Sequence, residues 1–98
     1  MGWLPVLMGA AAGVIFYGLG EMVWLAASAV ATMGELWSFG VIHNYAMDAA
    51  TKRPGFRGGF WDVTAPEAES APNRITMINL AFAVACLGVL ATALIFVF

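Results

Sequence analysis

The sequence predicts an all-α integral membrane protein: two transmembrane helices in a hairpin, the first of them long and extended by an interfacial helix. Three observations lead there. Apolar residues make up 62% of the 98-residue chain and charged residues only 10%, against roughly 45–50% and about 25% in ordinary soluble domains. The mean hydropathy is +0.87. Two long stretches carry almost no charge, and the polar segment between them, up to its edge at Arg74, holds every Lys and Arg. A soluble domain of this size buries only about 60–70% of the surface its unfolded chain exposes. The excess apolar surface calls for lipid as solvent.

The second transmembrane helix is expected over residues 74–98. No charged side chain occurs from Ile75 to Phe98. At about 1.5 Å per residue that run measures roughly 36 Å, enough for a hydrocarbon core of about 30 Å. Pro72, Asn73 and Arg74 mark its start,.

The N-terminal half has no Lys or Arg from Trp3 to Ala50 and only Glu21, Glu35, His43 and Asp48 as acidic or histidine side chains. As one straight helix it would be about 70 Å long, twice what a bilayer needs. The reading divides it into a first transmembrane helix over residues 1–34, with Pro5 tolerated in the first turn, and an interfacial or extended helix over 35–53, kinked near Gly34 or Gly40. Trp37, Phe39 and Tyr45 suit a membrane–water boundary. The competing arrangement turns back at Gly18-Leu19-Gly20-Glu21 and gives three spans; the unbroken span is preferred because so little polar loop separates the two runs. Ala27-Ser28-Ala29 resembles a signal-peptide cleavage site, but no Lys or Arg precedes the apolar run, so the segment is expected to remain as a helix,.

Residues 54–73 form the loop. Pro54, Pro66, Pro72 and the Gly58-Gly59 pair exclude regular structure through most of it,. Phe56, Phe60 and Trp61 are too apolar for a purely solvated loop and are expected to dip into the interface or dock on a neighbouring subunit. Because the basic residues gather in segment 51–74, the positive-inside rule puts that segment on the cytoplasmic-type side and both termini on the other, in a bacterial or organelle inner membrane.

Several functions are excluded. A net charge of −2 with no basic run argues against nucleic acid. The single cysteine, Cys86, permits neither an internal disulfide nor a four-cysteine metal site,, and reads as a small buried hydrophobe. No Ser or Cys stands with a base in an activating context and no phosphate-binding glycine loop follows a strand, so the chain is not expected to be an enzyme or to take a soluble substrate.

Two patterns remain. Gly9, Gly13, Gly20, Ala27 and Gly34 form a small-residue seam, and Ala81, Ala85, Gly88 and Thr92 form another. Such seams let helices approach closely; they face either each other or a partner subunit. Glu21, Ser28 and Glu35 recur every seven residues with Thr32 beside them. A carboxylate inside the bilayer costs about 2.5–3.5 kcal/mol. Glu21 is therefore expected to face another helix, pair with a partner's cation, or hold a proton or ion, whereas Glu35 is expected at the solvated surface. Asn79 reads as an amide joining two helices. His43 is either a hydrogen-bonded interfacial histidine or an axial ligand to haem or chlorophyll.

In outline this short hairpin with a basic-containing turn is similar to the rotor-ring proteolipids of ATP synthases. It departs from their pattern in having no acid in the last span and a much longer loop, so their function is not carried over. The expected role is an accessory, non-catalytic subunit of a multisubunit energy-converting membrane complex, photosynthetic or respiratory. It would pack against larger subunits and membrane lipid, with lipid, carotenoid, chlorophyll or haem possible at its edge. The alternatives are a homo-oligomeric proton or cation conductor using Glu21 and a pigment- or haem-binding subunit using His43.

Overall fold

The computed structural model describes residues 3–56, 58 and 62–98. Among them the chain forms helices α1 (Leu4–Leu19), α2 (Met22–Thr51), the single turn α3 (Ala65–Ala68) and α4 (Asn73–Val97). The all-helical class is as expected, and α2 and α4 are each long and apolar enough to cross a membrane. The last helix falls within a residue or so of its expected bounds.

The first helix does not run unbroken through residues 1–34. It stops at Leu19, and the chain reverses in two residues. Gly20 takes a left-handed conformation (φ 73°, ψ 16°), which glycine adopts without the Cβ penalty other residues meet. Its N–H donates to the Tyr17 carbonyl at 3.1 Å, and the Glu21 N–H donates to the Phe16 carbonyl at 3.0 Å. This double bond pattern satisfies the orphan carbonyls of a helix end. The Glu21 carbonyl then accepts the first bond of α2, from the Leu25 N–H at 2.8 Å. A turn made entirely from backbone groups needs no polar loop, so the chain adopts the competing reversal at Gly18-Leu19-Gly20-Glu21 that the sequence reading sets aside for want of one.

The expected interfacial helix over 35–53 is the second half of a continuous α2 that passes straight through Gly34 and Gly40. At about 1.5 Å per residue, α2 is roughly 45 Å long and α1 roughly 24 Å. The three long helices pack on one another. Gly9 of α1 faces Thr32 of α2 and Cys86 of α4. Trp3 packs against Phe39 with the rings tilted and their centres 5.3 Å apart, while Phe16, Trp24 and Phe96 gather at the far end with centres 5.6–6.1 Å apart. These contacts make α1 antiparallel to α2 and parallel to α4. The extra reversal therefore puts Trp3 and Phe98 at opposite ends of the bundle, an arrangement unlike the two-helix hairpin that would bring both ends together.

The burial pattern is inverted relative to a soluble bundle. Ala12, Phe16, Val89 and Ala93 make a small apolar core, but Ser28, Glu35 and Ser38 are also fully buried, while Val23 is 81% and Ile95 75% exposed. Three polar side chains thus lie inside, while many large apolar ones lie outside.

Candidate functional site

The interior polar group is built on the face of α2 that meets α1 and α4. Glu35 is 1% exposed, not solvated at the surface as the sequence reading has it. Asn79 of α4 reaches across and donates from Nδ2 to Glu35 Oε1 and to Ser38 Oγ, both at 3.0 Å. Ser38 Oγ donates in turn to the Glu35 backbone carbonyl at 3.2 Å. One turn earlier, Thr32 Oγ1 donates to the Ser28 carbonyl at 2.8 Å. Two buried oxygens in this stretch, Glu35 Oε2 and Ser28 Oγ, have no hydrogen-bond partner among the described residues. Asn79 thus joins two helices as the sequence suggests, and its partner is the carboxyl that sequence reasoning assigned to the surface.

Glu21 occupies the α1–α2 turn as the N-cap residue of α2. It is exposed, and its side chain makes no capping bond. The buried helix-to-helix position expected of it belongs to Glu35 instead, because the reversal at Gly20 moves the centre of the bundle from the twenties to the thirties of the chain.

The small-residue seams divide by use. A Cβ on Gly9 would meet Thr32 Oγ1 and, at 3.0 Å, Cys86 Sγ; one on Gly34 would run into the ring of Phe82. Those two glycines set the helix spacing. Gly13 has looser neighbours, at 3.8–3.9 Å, and Gly20 is spent on the turn. Ala27, Ala81, Ala85 and Gly88 are exposed. Ala27 and Ala85, but not Ala81 or Gly88, line an open apolar groove of about 430 Å³ between α2 and α4, together with Ala26, Val30 and Phe82.

His43 is partly buried beside Phe39, ring centres 6.3 Å apart. Among the described residues no group of three or more His, Cys, Asp or Glu side chains comes together to hold a metal ion. Trp37 is 55% exposed. Phe60 and Trp61 lie outside the described residues. Phe56 sits under the Arg53 guanidinium, 5.7 Å from ring centre to Cζ.

Arg53 organises the loop end. Its Nε donates to Glu67 Oε2 at 3.0 Å, and its Nη2 donates to the Asp62 carbonyl. The other oxygen of Glu67 accepts from the Thr64 N–H at 2.9 Å, one half of a capping box at the start of α3. The Thr64 bond first, and then Arg53, hold the Glu67 carboxyl below the ordinary carboxylate range. A lowered value means the carboxylate stabilises the folded loop above its unfolded-chain pKa, and that this contribution is lost as pH falls through the lower, folded-state value. Glu67→Ala should therefore cut the hydrogen-exchange protection factors of the Thr64 and Ala68 amides several-fold at neutral pH. The difference from the parent chain should close only on acidification below the usual carboxylate range. Equal protection at neutral pH would show that Glu67 does not fasten this loop.

Comparison with protein-family models, with characterised proteins and with solved structures finds no match to this chain.

Proposed function

We propose that α1, α2 and α4 lie together in a bilayer and that the chain serves as a non-catalytic subunit of a multisubunit membrane assembly, packing against larger subunits. The observation that carries this reading is the open groove between α2 and α4. Lipid gives helices no hydrophobic reason to associate, so small residues that admit a close neighbour supply the packing. Here Ala27 and Ala85 face outward along a groove that their own bundle leaves unfilled. The bulky apolar side chains of a partner helix fit such a groove. The outward-facing bulky apolar side chains, such as Val23 and Ile95, support the bilayer setting, since lipid is the solvent that suits them,. The basic residues around the loop favour a cytoplasmic-type side for that end, with the N-terminus beside it and the C-terminus across the membrane. The assembly types the composition suggests are photosynthetic and respiratory, in a bacterial or organelle inner membrane.

The test is extraction in gentle detergent, a native gel, and mass spectrometry of what travels with the chain. Co-migration with larger membrane subunits is expected, and their identity names the complex. Migration as a self-oligomer without other subunits would overturn the reading and favour a conductor; migration with only a pigment would favour the His43 alternative. Ala85→Trp sharpens the test. It fills the groove from an exposed position, so stability of the isolated bundle should change by no more than about 0.5 kcal/mol, while co-migration is lost. Undiminished co-migration would remove the groove as the docking surface.

A further inference from the structure

Glu35 is the one acidic side chain among the described residues that is fully buried, and a single side-chain donor, on one of its two oxygens, falls far short of what a carboxylate calls for,. An ionised carboxyl accepts at both oxygens, up to about four bonds in all; a protonated one keeps a carbonyl acceptor and turns its other oxygen into a donor. Glu35 Oε1 has its acceptor role met by Asn79 Nδ2 at 3.0 Å. Oε2 is buried and receives nothing from the described residues. Ser38 does not supply the missing donor, because its hydroxyl proton is committed to the Glu35 backbone carbonyl.

Nor does a cation. The ion pairs among the described residues lie at the loop end, between Asp48, Lys52, Arg53, Asp62 and Glu67. Around Glu35, α1 has no charged side chain from Leu4 to Leu19. α4 turns the buried Cys86 inward, and its Arg74 is exposed at the start of the helix. α2 itself carries His43 roughly two turns further on, and α3 carries Glu67, already bound to Arg53. An unpaired charge buried in this way is among the costliest groups a fold can hold, and a proton on Oε2 removes it. A metal cation fits less well. Asn79 presents its amino group, the positive end of the amide, to both Glu35 and Ser38, an orientation set by the hydrogen-bond network.

We propose that Glu35 is a proton-binding site in the interior of the bundle, with Oε2 as the atom that takes the proton. The second unpartnered oxygen, Ser28 Oγ, lies two turns, roughly 10 Å, along the same face of α2, with the Thr32 hydroxyl between them. The site thus belongs to a line of polar atoms along the bundle interior and does not depend on any partner subunit.

The test uses the full chain alone in phosphatidylcholine vesicles at neutral pH, so its outcome is separate from that of the assembly experiment. Dicyclohexylcarbodiimide partitions into the bilayer and reacts with a carboxyl that carries its proton. The proton passes to a carbodiimide nitrogen, the carboxylate oxygen bonds to the central carbon, and the adduct rearranges to a stable N-acylurea with the mass of one added reagent. Fragment mass spectrometry is expected to find that adduct on Glu35, and Glu35→Gln to abolish it. Infrared spectra of the unmodified parent chain provide a readout that needs no variant: a protonated-carboxyl carbonyl band is expected beside the carboxylate bands of the exposed acids. A spectrum with carboxylate bands only overturns the proposal, as does an adduct that maps to Glu21, Glu67 or Glu69 with Glu35 unmodified.

Discussion

Gly34→Val should destabilise the bundle by about 1–3 kcal/mol, the usual cost of forcing extra carbons into a packed site, and should push α2 and α4 apart where Gly34 meets Phe82. Any Cβ at this position falls on the Phe82 ring, with Cε1, Cδ1 and Cζ all in collision. The ring is only partly buried and borders the open groove, so it has somewhere to go. The cost is therefore expected within that range and not far above it, with the displaced ring filling part of the groove. Phe82→Ala in the same chain should recover part of the loss, since it removes the atoms the new side chain strikes. Gly88→Ala is the control: nothing lies within 4 Å of its added Cβ, and alanine is favoured over glycine inside a helix by up to about 1 kcal/mol. Unfolding by SDS in mixed micelles, followed by tryptophan fluorescence, reads all four chains. If Gly34→Val and Gly88→Ala unfold alike, the α2–α4 spacing is not what glycine sets.

The same residues show what was legible in advance. A run without charge and with the length of a bilayer announces α4 whatever surrounds it, and Asn79 stands out as the amide inside that run. Small residues at positions 9 and 34 were readable as a close-packing face, but spacing along one helix does not reveal what lies opposite. The turn is where the preferred reading fails: the reversal at Gly18-Leu19-Gly20-Glu21 is the competing arrangement, set aside because so little polar loop separates the two runs. Its only signal is Gly20 in an apolar context, because the reversal is closed by the backbone N–H groups of Gly20 and Glu21 and needs neither proline nor a polar loop. Preferring the unbroken span over it displaces the carboxyls. In a helix over residues 1–34 Glu21 lies about one turn past the midpoint and Glu35 just beyond the far end. In a helix over Met22–Thr51 the midpoint falls near Glu35, and Glu21 becomes the cap. The heptad stripe of Glu21, Ser28 and Glu35 was noted correctly as a polar face; which of its members sits deepest follows from where the helix begins, and composition does not carry that.

Asn79→Leu should cost about 2 kcal/mol, and the reason is what it leaves behind more than what it removes. Interhelical hydrogen bonds inside membranes average only about 0.6 kcal/mol and reach about 1.7, because separated helices also find partners. On that count two bonds from one amide give a modest loss. The substitution, however, strips the last side-chain donor from Glu35, so both carboxyl oxygens are buried without one. An unsatisfied buried polar group costs about 1–3 kcal/mol, and this second effect is the larger. The two effects are separable. Glu35→Gln keeps an oxygen facing Asn79 and should lose less than Asn79→Leu. Glu35→Leu together with Asn79→Leu removes the orphan along with its partner, and replacing both members of a buried polar pair by apolar groups of similar size is close to neutral. The double variant should therefore be more stable than Asn79→Leu alone, a strong departure from additivity of the kind expected for residues in direct contact. The same micelle unfolding experiment measures the cycle. Additive losses would mean that Glu35 and Asn79 do not meet, and both the interior polar group and the proton site built on it would have to be abandoned.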